Sequence, residues 1–105
     1  METLNFRFEH GRRPIAPPAR LVGVVSSGNL EVLIEPATLG GACAIEVHTA
    51  ALGFGGIWQA VMNDFHARWG LADVRIAIND MGATPAVVSL RLDQAVESAL
   101  VGGPI

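Results

Sequence analysis

Leu21–Glu35 reads LVGVVSSGNLEVLIE, and this stretch decides the fold. Leu21-Val22-Gly23-Val24-Val25 is one β-rich run and Leu30-Glu31-Val32-Leu33-Ile34 is another. Ser26-Ser27-Gly28-Asn29 lies between them. Gly28-Asn29 is a two-residue hairpin signal, because glycine tolerates the positive φ of a type II′ turn. On this reading Ser27 is the last residue before the turn. Its hydroxyl stands exposed at the tip, within reach of an enzyme. The same residues also suit a plain polar hairpin tip. Leu30, Val32 and Ile34 face one side of the outgoing strand, and Glu31 and Glu35 face the other.

Working outward, 105 residues suit a single domain spanning 1–105. A chain of this size buries roughly 65% of its unfolded surface, enough for one core. Half the residues are hydrophobic and the mean hydropathy is +0.41, so some apolar surface is expected to face a partner subunit. No run reaches the ~18 apolar residues of a membrane span. The N-terminal METLNFRFEHGRR lacks the apolar core and cleavage site of a signal peptide. Cys43 is the lone cysteine, which rules out an internal disulfide and is the wrong inventory for zinc. A cytoplasmic protein without membrane insertion or a metal site is expected. The net charge of −3, with seven arginines and no lysine, argues against a nucleic-acid partner.

Leu4–Phe8 alternates apolar and polar residues as a short strand does. His10–Arg20 carries Gly11, Pro14, Pro17 and Pro18, the composition of a flexible loop. Arg12, Arg13 and Arg20 lie in it or beside it. They read as a solvated loop or as a phosphate contact near the hairpin tip, because guanidinium forks match phosphate oxygens. Pro36–Gly41 is a turn. Cys43, Ile45 and Val47 then point inward from a further strand, with Glu46 and His48 outward. Cys43 reads as a small core residue. Glu46 and His48 read as a solvated strand face or as a proton-transfer pair.

Gly53-Phe54-Gly55-Gly56 leads into a helix over Ile57–Trp69. It is no dinucleotide fingerprint, since Trp58 occupies the place of the third glycine. Trp58, Val61, Met62, Phe65 and Trp69 form one apolar stripe, and Gly70 supplies the stop. His66 near the end suits the helix dipole. Val74–Ile78 alternates as a fourth strand, and Asn79–Gly82 turns the chain. Thr84-Pro85 is a helix start, with a capping hydroxyl followed by proline. Val88, Leu92, Ala95, Val96 and Ala99 share a helical face, so a helix from Pro85 to about Val101 is expected. Residues 86–92 also alternate, which leaves a strand open there. Residues 102–105 form a frayed tail. The sum is an α+β domain: an antiparallel or mixed sheet of about four to five strands, with two helices on one face.

The four serines, Ser26, Ser27, Ser89 and Ser98, sit in no strained nucleophile elbow. No carboxylate pair falls in an apolar cleft. Such a domain reads as the object of chemistry, with no catalytic residue of its own.

Three stretches carry a resemblance: METLNFRF at the start, LVGVVSSGNLEVLIEP in the middle, and INDMGATPAVVSLRLDQA near the end. They resemble the acyl carrier (delta) subunit of bacterial malonate decarboxylase and, more distantly, the acyl carrier subunit of citrate lyase. The resemblance implies a non-catalytic carrier in a cytoplasmic multi-subunit complex. It implies 2′-(5″-phosphoribosyl)-3′-dephospho-CoA, attached through a phosphodiester to Ser27 and flanked by Ser26, Gly28 and Asn29. The distal thiol would carry acetyl and malonyl groups. The implied partners are an acyl-carrier transferase subunit, decarboxylase subunits and a holo-carrier synthase. The family's tip usually reads Ser-Gly-Asp, and here Asn29 follows Gly28. Asparagine holds such a turn but lacks the carboxylate charge. Ser26 beside Ser27 leaves the attachment point open by one residue.

Three other readings of the chain stand beside this one. An adaptor subunit without a covalent cofactor would retain activity of its assembly after Ser27→Ala. A small enzyme using Cys43 or His48 would turn over alone. A citrate lyase-type carrier would keep the arm and change the acyl group.

Overall fold

A computed structural model describes residues 1–100. Five strands form one mixed sheet: β1 (Glu2–Phe8), β2 (Arg20–Gly23), β3 (Leu30–Pro36), β4 (Cys43–Thr49) and β5 (Val74–Asp80). Their order across the sheet is β1-β4-β5-β3-β2. β4 and β5 run parallel, and the other neighbouring pairs run antiparallel. A parallel pair needs a long crossover. Helix α1 (Gly55–Trp69) supplies it, and α2 (Pro85–Ala99) follows β5.

Alternation dictates the layers. Leu30, Val32 and Ile34 of β3, Cys43, Ile45 and Val47 of β4, and Val74, Ile76 and Ile78 of β5 are all buried. Register aligns them in rows, with Val32 opposite Ile78 and Ile34 opposite Ile76. A slip of one residue would turn each of these side chains to the open face. Both helices cover the apolar face. Trp58, Met62 and Phe65 are the buried stripe of α1, with Val61 and Trp69 at its partly buried margin. No side chain caps the start of α1, so packing of this stripe carries the helix. Gly70 ends it in the left-handed conformation, its N–H donating to the His66 carbonyl at 2.7 Å.

In α2 all five expected residues, Val88, Leu92, Ala95, Val96 and Ala99, are buried. The Thr84 hydroxyl accepts from the Val87 N–H at 3.3 Å, and Pro85 opens the helix. The strand alternative for 86–92 required Leu90 on the same side as Val88 and Leu92. Leu90 is instead 51% exposed, as its place on the helix requires. The helix ends at Ala99, and the expected tail over 102–105 lies outside the described residues.

The expected tight hairpin is not what forms. β2 stops at Gly23, and a six-residue connection, Val24–Asn29, leads to β3. Gly23 has φ +88°, and a Cβ there would lie 2.2 Å from the Leu30 carbonyl oxygen. The two strands approach too closely here for any side chain and then part. Val24 and Val25, expected in the strand, are exposed in the loop.

The 10–20 segment makes two isolated bridges, Arg13 with Leu71 and Ile15 with Leu100. The Arg12 and Arg13 N–H groups both donate to the Gly70 carbonyl, and the Ala16 N–H donates to Ala99. No described helix is long and apolar enough to cross a membrane.

Candidate functional site

The site is built from two loops at one end of the sheet. Ser26–Asn29 is a β-turn, closed by the Asn29 N–H donating to the Ser26 carbonyl at 2.9 Å. Ser27 and Gly28 are its central residues, so Ser27 lies inside the turn rather than before it. Gly28 has φ +74°, the positive value that the third position of a type II turn demands. The expected II′ turn centred on Gly28-Asn29 is replaced because the strands have already separated at Gly23.

Backbone bonds fix this turn to the loop after β5. The Gly28 N–H donates to the Met81 carbonyl at 2.8 Å, and the Met81 N–H donates to the Asn29 carbonyl at 2.9 Å. Asn29 Oδ1 accepts from the Leu30 N–H at 2.8 Å and from Arg91 Nε at 3.3 Å. Ser26, Ser27 and Gly28 are exposed, while Asn29 is half-buried. A Cβ built on Gly28 would meet nothing within 4 Å. Ser27 thus stands on a fixed backbone with open space beside it.

Asp80 supports the arrangement from below. It is buried, and its carboxylate accepts from Thr49 Oγ1 at 2.8 Å, the Gly82 N–H at 3.2 Å and the Ala83 N–H at 2.9 Å. Buried carboxylates need this degree of satisfaction. The result holds Met81, which holds the turn. Sequence reasoning missed Asp80 and Arg91 as parts of the site. Both fall within the INDMGATPAVVSLRLDQA stretch, and Arg91 is its one basic residue.

The arginine trio lies elsewhere. Gly23 is at the site end of β2 and Arg20 at the other, opposite Ile34. Arg20 Nε donates to the Ser98 carbonyl at 3.1 Å. Arg12 and Arg13 bond Gly70, and the Arg13 guanidinium sits 5.6 Å from the Trp69 ring centroid. All three are a strand length from Ser27, so the expected phosphate contact near the tip is not formed by them.

Glu46 and His48 do meet. His48 Nε2 and Glu46 Oε1 are 2.8 Å apart, and His48 Nδ1 lies 3.1 Å from Thr3 Oγ1. The group sits on the open sheet face, with Thr3 and Glu46 exposed. The pair therefore reads as a solvated strand face. Cys43 is fully buried, and burial pushes its thiol up to about 12. Such a thiol is no nucleophile at neutral pH.

Comparison with known proteins places the chain. The sequence model of the family described as malonate decarboxylase delta subunit (MdcD) matches residues 19–99. The chain belongs to this family. A relative from Stenotrophomonas maltophilia (strain K279a), named malonate decarboxylase acyl carrier protein, is 62% identical over 106 aligned positions, covering 99% of both chains. One of the same name from Xanthomonas campestris pv. campestris (strain B100) is 65% identical, over 92% of this chain and 93% of its own. The fold is also that of a chain in the crystal structure of a Pseudomonas malonate decarboxylase hetero-tetramer in complex with malonate. That match has a TM-score of 0.83 and 41% identity, covering 93% of this chain and 98% of that one. The Ser26–Asn29 turn, Asp80 and Arg91 all fall within the residues matched by the malonate decarboxylase delta subunit model.

Proposed function

We propose that this chain is the acyl carrier subunit of a cytoplasmic malonate decarboxylase complex, and that Ser27 bears 2′-(5″-phosphoribosyl)-3′-dephospho-CoA through a phosphodiester. The observation that carries this reading is an exposed serine at the centre of a turn whose backbone is bonded on both flanks.

The residues fit such a group. Open space lies beside Gly28, and the Arg91 guanidinium bonds Asn29 two residues from Ser27. The pentavalent phosphorus of a transfer reaction needs room around the attacking oxygen, and a tip provides it. Among the described residues no base hydrogen-bonds the Ser27 hydroxyl. In loading, that proton would pass to a base of the holo-carrier synthase while the serine oxygen displaces pyrophosphate from the α-phosphorus of a 5″-triphosphoribosyl-dephospho-CoA donor, leaving the phosphodiester. Arg91, bonded to Asn29, would offer a charge-assisted contact to the phosphodiester, the role that the sequence suggests for Arg12, Arg13 and Arg20. Once bound, the group supplies the thiol that carries acetyl and malonyl units between a transferase subunit and the decarboxylase subunits.

The fixed turn matters for this work. A tether on a rigid root delivers its end to each active site at millimolar effective concentration. The chain then needs no catalytic residue. The family match supports the malonate complex over the citrate lyase-type carrier.

The test is the intact mass of the chain purified from its native source, with fragmentation to locate any adduct. The expected result is one phosphoribosyl dephospho-CoA adduct on Ser27. An adduct on Ser26 would move the site. An unmodified chain from an active complex would end the carrier reading in favour of an adaptor.

A further inference from the structure

At the same end of the sheet as Ser27 a cavity of about 210 Å³ opens between the first turns of α1 and α2. Ala51, Phe54, Ile57, Trp58, Ala83 and Val88 supply most of its walls. Phe54 and Ile57 are nearly half exposed at its rim, so it is open to solvent on that side. Engineered apolar cavities of about 150 Å³ accept benzene, so this one has room for a short aliphatic chain and its terminal thioester.

The cavity is joined to the turn. Gly82 lines it, and Met81, the preceding residue, makes both backbone bonds to Gly28 and Asn29. Chain and ladder spacings put the Ser27 and Gly82 Cα atoms within roughly 13 Å. Asp80 contributes a carboxylate to the wall, already engaged by Thr49, Gly82 and Ala83.

We propose that this groove is the resting site of the uncharged thiol or acetyl end of the arm carried on Ser27, and that a carboxylate-bearing malonyl end is turned out of it. The inference rests on the carrier reading above. The occupant follows from continuity: the groove mouth and the attachment turn share one hydrogen-bonded loop, so the arm is the ligand always present beside it. Selection follows from the lining. A carboxylate would lose its water against apolar walls next to Asp80, and this outweighs the modest attraction of two helix N-termini. The carrier would thereby shield its thiol or acetyl thioester between visits and present the malonyl form for decarboxylation.

The experiment uses the full chain in four forms, unmodified, loaded with the free-thiol arm, acetyl-loaded and malonyl-loaded, each verified by intact mass. Methyl resonances of Ala51, Val61, Ala83 and Val88 are compared by NMR. Acetyl loading is expected to shift them, and the malonyl form to return them to their unmodified positions. Iodoacetamide alkylation of the free arm thiol gives a second readout, which buried Cys43 does not disturb. A millimolar-affinity groove facing a millimolar tethered end is about half filled, so alkylation should run about twofold slower than in Ala83→Met, whose longer side chain fills the groove. Val61→Met, on another wall, serves where Ala83→Met fails to fold. Shifts confined to residues 26–29, equal shifts from malonyl and acetyl forms, or alkylation rates unmoved by the filling variants would each overturn the proposal. A chain that carries no adduct at all would instead overturn the carrier reading.

Discussion

The two ends of the sheet are built differently. At the far end, where β4 and β5 begin, polar groups close the structure. Asp73 Oδ1 accepts from the Leu39 and Gly41 N–H groups, both at 2.9 Å. Arg12 and Arg13 bond Gly70, Arg13 lies over Trp69, and Phe8 stacks on His66 with ring centroids 4.5 Å apart. At the Ser27 end, where β4 and β5 finish, the loops are joined through backbone bonds and Asp80. Val24, Val25, Leu52, Phe54, Ile57 and Met81 are left exposed there. The strands hold these ends about 20 Å apart. One end stabilises the fold, and the other offers an apolar surface around an available hydroxyl. A substitution at one end should therefore leave the other end's property intact.

The largest effect is expected from Ser27→Ala. It should abolish loading and malonate-dependent turnover of the assembled complex while changing folding stability by less than about 0.5 kcal/mol, since the residue is exposed. Mass spectrometry and thermal unfolding read the two quantities. Full turnover with no loaded chain would favour the adaptor. Arg13→Ala is the mirror test: loading unchanged, with about 0.5–1 kcal/mol lost from its contact with Trp69. Asp80→Ala is the variant that should break the separation. It removes three hydrogen bonds to a buried carboxylate, at a cost of about 3 kcal/mol, and also slackens the Met81 loop that holds the turn. Urea unfolding should show the loss, and the loading rate at a temperature where the variant stays folded should fall with it.

Much of the layered fold was legible because it depends on local periodicity. The 2.0 period of β3, β4 and β5 and the stripes of α1 and α2 each place buried residues without reference to the rest of the chain. The site was legible as a serine beside a glycine and obscure in its geometry. Val24 and Val25 look like strand residues, yet the ladder ends at Gly23 because the Leu30 carbonyl comes too close, a contact between residues of different strands. The arginines were misplaced for a similar reason. Gly11 lets the 10–20 segment run against Leu71, where a Cβ would lie 1.9 Å from the carbonyl oxygen, and this carries Arg12 and Arg13 to the far end. No spacing rule within 10–20 contains that partner. Arg91 was overlooked because a lone arginine on an amphipathic helix ordinarily marks a solvated face.

Arg91 sharpens the comparison as the one guanidinium bonded to the turn among the described residues. Arg91→Ala should slow loading several-fold and weaken its dependence on salt, whereas Arg12→Ala and Arg20→Ala should leave both unchanged. Asn29→Asp introduces the carboxylate that the resemblance leads one to expect at the tip. It keeps the oxygen that accepts from Leu30 and Arg91 and makes the second contact an ion pair, adding about 0.5 kcal/mol at low salt. If the synthase requires that carboxylate, Asn29→Asp should load faster than the natural chain. Equal rates would show that the Oδ1 contacts suffice.

The smallest effect is a pH dependence confined to the far end. Burial, and then the nearby Arg12 charge, lower the His66 pKa below its ordinary 6.5. The unfolded chain therefore binds a proton that the folded chain resists. This contribution to stability is complete above about pH 6.5 and declines as pH falls toward the folded value. Burial and Arg12 thus disfavour the charge that the end of α1 would favour on His66. Bonds from Gly41 and Leu39 likewise lower the Asp73 pKa below 3.8. Its contribution is complete above that value and is lost as pH falls through the folded pKa. The stability of the natural chain should fall in two stages on acidification. His66→Gln should remove the first stage and Asp73→Asn the second. Arg12→Ala should move the first stage to higher pH within its range and shrink it, because the repelling charge is gone. None of the three should change how fast Ser27 is loaded at pH 7.5, where both groups hold their native charge state. A loading rate that followed the His66 titration would mean that the two ends communicate through the sheet.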